Sequence, residues 1–508
     1  MVRFKVTKYS HGFKVRVLFV KDRSYIFGFV RQYTQMEMKW NPQRRRNMMS
    51  PTTVYATSNP DRSEFGFLLR DIPAFEKHME ISGIRPEEIA YEKVEAPEGV
   101  PIEFSLPVIT PRDNQSSALR FMKEDGKHIR VLPLPTGQGK TLTTFMHLAE
   151  RGTRTVFFMR AGHLKTWLDT IVEHTDIDKE DIVVIRGTSN LRALIATASL
   201  GRLHAKVILI SSETFNGYLN TYIRGEMVTG NSFDVTPDKF IELIGAGASV
   251  TDECHELLHH VVRRAIMLNV MLNIYLSATL KSGRELTEKI YGSVFPMEDR
   301  FTDFKNNDHI VVHPTYYTLR EPSEAKYQGD RGYSHLIYEG WLFGDKERAE
   351  RYLDVIYSVI KQDYLENRKP GTKLLVFAAT VDACEKITAY LNKKLDDSIT
   401  VSTYVAATPE EVLDEFEVIV TTPKSCGTGT DIPNLSMTLM TVAVGGIQLS
   451  EQILGRTRPI KLYPDEDPRF YYLTAANIPK HMDYDRAHIR EFKDKSKFIK
   501  PVKLPAYV

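Results

Sequence analysis

Short apolar runs recur along the middle of this 508-residue chain, around Val131 and at Thr155–Met159, Ile182–Ile185, Val207–Ile210, Ala248–Thr251 and Asn273–Leu276. Each is bounded by polar residues, too short for a buried helix and without strict alternation. That pattern predicts strands buried on both faces of a parallel sheet, with the longer stretches between them as helices. Leu374–Phe377 and Val418–Thr421 repeat it further on. The first hundred residues read differently. Phe4–Val20 alternates imperfectly between apolar and basic residues around His11 and Gly12, and Tyr25–Val30 and Phe65–Leu69 read as further strands. Ile72–Ile81 reads as a short amphipathic helix stopped by Gly83 and Pro86. Residues 1–104 are therefore expected to form a small N-terminal α+β domain, with Glu95–Pro107, rich in Pro, Glu and Gly, as a linker.

Length and composition add limits. A chain of 508 residues exceeds one ordinary core, and its apolar and charged fractions are those of a globular protein. The formal charge of +2 is uninformative until it is mapped. The first fifty residues carry twelve Lys and Arg against two acids, so the remainder is mildly acidic. Within that basic stretch, Lys39–Asn47 (KWNPQRRRN) sets Arg44, Arg45 and Arg46 beside Trp40. It suits a phosphate backbone with a stacking aromatic, and equally a solvated loop. Three cysteines, Cys254, Cys384 and Cys426, stand far apart in no metal-ligand spacing, so neither a disulfide framework nor a zinc site is expected. The N-terminus lacks an apolar signal-like segment and no run is long enough to cross a bilayer. The expected location is cytoplasmic.

The chemistry is concentrated at strand ends. After the run at Val131 comes Pro135-Thr136-Gly137-Gln138-Gly139-Lys140-Thr141, followed by a helix to about Glu150. The glycines let successive N–H groups turn toward a phosphate chain, Lys140 adds a positive charge, and Thr141 offers a hydroxyl to Mg²⁺. Leu134 departs from the pattern, standing where a small residue is usual. Upstream, Arg112 and Gln115 lie at the start of a helix, where the Gln115 amide suits an adenine edge. Ala248–His255 (ASVTDECH) is a strand ending in two acids: Asp252 is placed to hold Mg²⁺ with Thr141, and Glu253 to polarise an attacking water. His255 is placed to link this edge to a neighbouring strand. Asn273–Thr279 (NIYLSAT) is a further strand with a Ser-Ala-Thr end.

A phosphate loop, DECH and SAT in this order resemble the motifs of superfamily 2 helicases and translocases. The second half extends the resemblance: Leu374–Thr380 looks like motif IV, Val418–Pro433 like motif V and Ser450–Arg458 (SEQILGRTR) like motif VI. It covers roughly Ile109–Arg458. The implied fold is α/β, two RecA-like parallel-sheet lobes behind the small N-terminal domain, with lobe one over 105–304, lobe two over 305–480 and a basic C-terminal tail over 481–508. The implied cofactors are ATP and Mg²⁺. Lobe two is expected to contribute Gln452, Arg456 as arginine finger, Gly429 and Asp431. The family's next arginine is displaced to Arg458, which Pro459 biases out of the helix. The resemblance nominates Arg160, Thr214, Thr380, Thr421 and Thr428 as contacts to one nucleic-acid strand.

The RxxQ entry at Arg112 and Gln115 and the strand-rich N-terminal domain look similar to phage branch-migration helicases of the UvsW type. The implied activity is an ATP-dependent DNA helicase acting on forked and Holliday-junction DNA in recombination, repair and replication. Branched or single-stranded DNA is the expected partner, single-strand-binding or recombination proteins are further candidates, and a monomer is expected. An RNA helicase, a translocating restriction subunit and a non-hydrolysing nucleic-acid clamp are the alternatives. DECH lacks the alanine of the DEAD group, no nuclease motif accompanies the chain, and intact Gly139, Lys140, Thr141, Asp252 and Glu253 argue against the clamp.

Overall fold

The computed structural model describes residues 1–41, 46–53, 56–107, 110–134, 138–226, 235–278, 280, 285–303, 309–329, 332–405, 408–409, 411–426, 432–443, 445 and 453–508, without the side chains of 35, 37–41, 46–47, 51–53, 56 and 285–286. These fall into two compact units, one ending at Asp303 and one beginning at His309.

The first unit opens with β1 (Phe4–Lys8), β2 (Gly12–Val17), β3 (Thr34–Asn41), β4 (Arg46–Thr53), β5 (Ala56–Ser58), β6 (Glu64–Leu68) and β7 (Ile89–Lys93). Five of them form a sheet in the order β5-β6-β2-β1-β7, with β7 parallel to β1 and the others antiparallel. Helices Arg23–Arg31 and Ile72–Ile81 cover one face and enclose Phe13, Phe29, Phe67, Phe75 and Met79. Tyr25–Val30 is thus helical rather than a strand. Ile26 and Phe29, three apart, are the residues it buries, a helical spacing that a six-residue apolar run does not declare. Among the described residues β3 and β4 pair only with each other, as a two-stranded ribbon. Arg46 opens β4, while Arg44 and Arg45 lie outside the described residues.

The other face of this sheet rests on the helix Leu258–Met267 of the parallel lobe. Strand alternation turns Gly12 away from Phe13, and a Cβ at Gly12 would fall inside the carbonyl of Ile266. Polar contacts fix the same seam: His11 Nε2 lies 2.9 Å from the His128 carbonyl, Ser10 N–H donates to Asn269 Oδ1 at 3.0 Å, and Lys14 Nζ meets Asp238 Oδ1 at 3.0 Å. Arg70 donates to the carbonyls of Gly292 and Ser293. The expected linker is likewise fastened. Val100 N–H donates to Gly245 O, Ile102 N–H to Gly152 O, and Ser105 binds the Asp176 carboxylate through both N–H and hydroxyl. Its Pro and Gly content serves close backbone contact instead of freedom. Gly12→Val is expected to cost about 1–3 kcal/mol by overpacking against backbone that cannot yield. An unchanged urea midpoint would show that the seam tolerates a side chain.

The parallel lobe holds β8 (Ile129–Leu132), β9 (Thr155–Met159), β10 (Ile182–Ile185), β11 (Val207–Ser211), β12 (Ala248–Thr251) and β13 (Leu272–Leu276). They form one sheet, all parallel, in the order β10-β11-β9-β12-β13-β8. Separate apolar clusters lie on its two faces, one around Ile208, Phe215 and Ile266 and the other around Leu132, Phe157 and Trp167. The second unit contains β14 (Val311–Thr318), a small hairpin of β15 (Gln328–Gly329) and β16 (Gly332–Tyr333), then β17 (Lys373–Phe377), β18 (Val401–Tyr404), β19 (Val418–Thr421), β20 (Leu435–Met440), β21 (Arg469–Ala475), β22 (Phe498–Ile499) and β23 (Val502–Tyr507). Its main sheet is parallel, in the order β18-β19-β17-β20-β21-β14-β22, with β23 also on β14. Residues 481–508, expected as a basic tail, therefore belong to the folded unit. The helix Pro479–Phe492 buries His481, Asp485, His488 and Phe492, and Val508 at the chain end is buried.

Candidate nucleotide and nucleic-acid site

Ligands of open parallel sheets gather beyond the carboxyl ends of the strands, and the described candidate residues of the first unit stand there. Past β8, Leu134 turns its side chain into the core, so the bulky residue at a normally small position is absorbed by packing. Gly139 caps the helix Lys140–Arg151 in the left-handed region, φ 79°. That conformation favours glycine, and a Cβ there would also collide with the Gln115 amide. Gln115 is buried. Its Oε1 accepts the Arg112 N–H at 2.9 Å, closing a capping box on the helix Asp113–Met122. The amide expected to read adenine therefore also holds the phosphate loop from behind. Gln138 Oε1 accepts from Asn114 Nδ2 at 2.9 Å, and Lys140 Nζ donates to the Leu134 carbonyl at 2.9 Å. Thr141, half-buried, lies in the first helical turn. Pro135, Thr136 and Gly137 lie outside the described residues.

Two strands away, β12 delivers the acidic pair. Asp252 N–H donates to the Phe158 carbonyl at 3.0 Å, and Oδ2 accepts from Trp167 Nε1 at 2.8 Å with His163 Nδ1 at 3.5 Å. Trp167 and His163 were not foreseen. Nothing in an amphipathic helix marks which buried aromatic will meet an acid from another strand. Glu253 follows with φ 43°, a conformation that costs a residue with a Cβ of order 1–3 kcal/mol and clusters at functional sites. Leu257, four residues on, repeats it at φ 47°. Glu253 Oε2 is buried 3.2 Å from His255 Nδ1, without hydrogen-bond alignment. Burial pushes the Glu253 carboxyl up, but His255 and the charge of Lys140 outweigh it and hold the group below the usual carboxylate range. It is ionised at neutral pH, as a base that orients water must be. His255 Nδ1 also meets Ser277 Oγ at 2.9 Å. Since β13 lies between β12 and β8, this contact braces the acidic turn against the strand beside the phosphate loop.

The nominated nucleic-acid contacts are less uniform. Arg160 ion-pairs with Glu256 at the end of β9. Thr214 accepts the Gly187 N–H at 2.8 Å. Thr380 caps the helix Val381–Lys394, accepting from Ala383 N–H at 3.1 Å and donating to Glu339 at 2.7 Å. Thr421 is fully buried and donates to the Tyr404 carbonyl at 2.6 Å, so its hydroxyl serves the sheet and does not face solvent. A strand-end threonine reads the same in sequence whether it turns in or out. Thr428, Gly429, Asp431 and Gln452 lie outside the described residues. In motif VI the helix closes at Leu454. Arg456 follows in a turn, its N–H on the Ile453 carbonyl at 3.1 Å, and Arg458 stands beyond it. Between them Thr457 is buried, its hydroxyl 3.2 Å from that of Thr438.

No protein-family model and no curated protein matches the chain. Solved structures do. The Pyrococcus furiosus Hef helicase domain aligns at TM-score 0.44 and 16% identity over 74% of this chain and 98% of its own. T4 UvsW aligns at 0.35 and 15% over 99% and 100%. S. cerevisiae Dbp5, in a structure bound to RNA and ADP BeF3, aligns at 0.50 and 14% over 78% and 90%. The chain shares the parallel-sheet α/β fold of the Dbp5 structure. At such identities the likeness is one of fold, and the chemistry rests on the residues described above.

Those residues suit a triphosphate with a magnesium ion. Glu253 Oε2 is a buried polar atom lacking a hydrogen-bond partner, and Asp252 Oδ1 lies outside the contacts made by Oδ2. Among the described residues no group of three or more His, Cys, Asp or Glu is arranged to hold a metal alone. One carboxylate with one hydroxyl is what an ion held largely by phosphates and water requires. The three cysteines are buried and free. No described helix is long and apolar enough to cross a membrane.

His163 bears on this site through pH. Burial lowers its pKa, but Asp252 chiefly, with Glu256 and Glu253, raises it further, and the net shift is upward from 6.5. A raised folded pKa gives stability that is full below the unfolded value and lost as pH rises through the folded one. The thermal midpoint of wild type should therefore exceed that of His163→Gln most at about pH 5.5, the gap narrowing toward about pH 8.5. A pH-independent gap would mean that the pair with Asp252 is not formed.

Proposed function

We propose that this protein is an ATP-driven superfamily 2 DNA helicase that unwinds or branch-migrates forks and Holliday junctions in phage recombination, repair and replication. The observation that carries the ATPase is that Lys140, at the start of the phosphate-loop helix, and an ionised, backbone-strained Glu253 both stand beyond the carboxyl ends of strands of one parallel sheet, close enough for the lysine charge to act on the carboxylate. In this reading Lys140 and the Gly139 turn bind the phosphates, Glu253 orients the attacking water, and Arg456 stabilises charge on the transferred group. Thr141 and Asp252 would hold Mg²⁺, which supplies charge neutralisation on the phosphates when bound. Arg112 and Gln115 take the base, while Arg160, Thr214, Thr380 and Thr428 are candidates for one strand's phosphates.

DNA is favoured by the charge map. The basic excess of the first fifty residues lies outside the helicase motifs, on a domain seated against lobe one and carrying a separate β-ribbon. RNA is the second reading, favoured by the likeness to Dbp5, whose structure is bound to RNA. ATPase stimulation by single-stranded DNA, forked DNA and RNA of equal length separates them. Greatest stimulation by RNA would replace the DNA assignment. Neutralising Arg44, Arg45 and Arg46 should weaken fork binding alike across sequences and flatten its salt dependence by up to about three units of log–log slope, since phosphate contacts release counterions. Coincident slopes would make the basic turn a solvated loop.

A further inference from the structure

One helix of the second unit, His335–Leu342, carries two buried polar residues four apart and so on one face. Its N-terminal end receives the exit of β20. Ala443 N–H donates to His335 Nδ1 at 3.1 Å, three residues past the strand and a few before motif VI. One turn later the same face receives the exit of β17. Glu339 accepts the Ala379 N–H at 2.8 Å and the Thr380 hydroxyl at 2.7 Å, both in motif IV.

The histidine is set in a directional network. Ala475 N–H donates to His481 Nδ1 at 3.2 Å, which puts that ring's proton on Nε2, 2.6 Å from the Tyr333 hydroxyl. The Tyr333 proton is then free to point at His335 Nδ1, 2.9 Å away. His335 Nδ1 is consequently the acceptor and Nε2 carries the hydrogen, buried and without a partner. Tyr484 packs edge-on to Tyr333, and Gly445 lies so close to the Tyr484 ring that a Cβ would not fit.

Such a helix is costly if its work is packing alone. An unpaired buried N–H costs about 1–3 kcal/mol, and a buried carboxylate in place of an apolar residue is often destabilising. Apolar residues would fill the space with less penalty but would not hold two loops through their backbone N–H groups. We propose that His335–Leu342 is a brace coupling motif IV to the exit of β20, with Glu339 as the positioning residue for Thr380 and His335 as the positioning residue for Ala443, from which the chain runs on to Arg456. The roles of Thr380 and Arg456 rest on the function proposed above; the coupling through the helix does not.

The test uses the full chain with His335→Ala, His335→Asn, Glu339→Ala and Glu339→Gln. Backbone amide exchange is read first and requires no activity. Each alanine variant should speed exchange at least about tenfold in both 377–380 and 441–443, because loosening one end of a shared brace loosens the other. Acceleration confined to the altered side, or none, overturns the brace. ATPase titrated with single-stranded DNA then reads the two positions separately. His335→Ala should lower kcat at least about tenfold with half-saturating DNA nearly unchanged, and Glu339→Ala should chiefly raise half-saturating DNA. Asn and Gln, which keep an acceptor, should recover most of each loss. If an alanine variant fails to fold, the Asn and Gln variants carry the exchange test, with smaller accelerations expected in both segments and none overturning the brace. A merely structural role would lower the thermal midpoint while leaving kcat and half-saturation per folded molecule as in wild type, and that too overturns it. Wild type without nucleic-acid-stimulated ATPase defeats the function reading, while exchange still decides the brace.

Discussion

Glu253→Gln is expected to bind ATP yet turn it over at least about a hundredfold more slowly, and Lys140→Ala to abolish turnover with the fold intact. The two side chains do different work. Lys140 sits half-buried at the first position of its helix, and its bond to the Leu134 carbonyl belongs to the loop and not to the core. Losing one such bond costs about 1 kcal/mol of stability, within what a folded domain tolerates. Glu253 is held in a left-handed conformation with its carboxylate ionised against its own burial. Glutamine keeps the shape and removes the basicity, so the strained turn should survive while the orienting charge does not. The measurement pairs single-turnover hydrolysis with equilibrium nucleotide binding. Normal turnover in Glu253→Gln would sink the assignment of the base, and equal loss of binding and turnover would make Glu253 a ligand for substrate instead.

Much of this site was legible because its parts are local. A glycine loop between a strand and a helix needs only a few consecutive residues, and the short apolar runs of the parallel lobe needed no knowledge of their partners. What was not legible depends on which distant residue arrives. The Asp252 carboxylate meets Trp167 and His163 from another strand's connection. The Glu95–Pro107 segment reads as a linker by composition because composition cannot show that Gly245 and Gly152 wait to accept its N–H groups. The final residues read as a basic tail because β22 and β23 pair with β14, almost two hundred residues earlier. Tyr25–Val30 failed for a different reason. Six apolar residues satisfy strand and helix alike until Ile26 and Phe29 have a core to enter.

The seam of the N-terminal domain also redirects how its role should be tested. Removing residues before Ser105 would uncover Ile266 and the apolar face of its helix, and strip the contacts of Ser10, His11, Lys14 and Arg70. Loss of activity on truncation would then report destabilisation of lobe one. The described seam contacts are made by other residues, and for this reason the salt dependence of Arg44, Arg45 and Arg46 variants is the sharper measurement.

Arg456→Ala is expected to lower kcat about a thousandfold or more, and Arg458→Ala to do less. On a helix continued through motif VI, Arg458 would face some 160° away from Arg456. The helix does not continue. It closes at Leu454, Arg456 and Thr457 are tied back three residues to Ile453 and Leu454, and Pro459 follows Arg458. Thr457 is the anchor: its hydroxyl meets Thr438 on β20, and its carbonyl lies 3.3 Å from His309 Nε2. Arg456 is close enough to Cys426, within motif V, for its charge to pull the thiol down against the burial that raises it. That places Arg456 near Cys426, and Arg458 one anchored residue further along the chain. A finger needs a rigid root, and Arg456 has one on each side. Steady-state kcat for both variants, with nucleotide affinity measured separately, decides the matter. Equal and severe losses would mean that Pro459 turns Arg458 into the site as well, and equal, trivial losses would mean that motif VI has been misplaced.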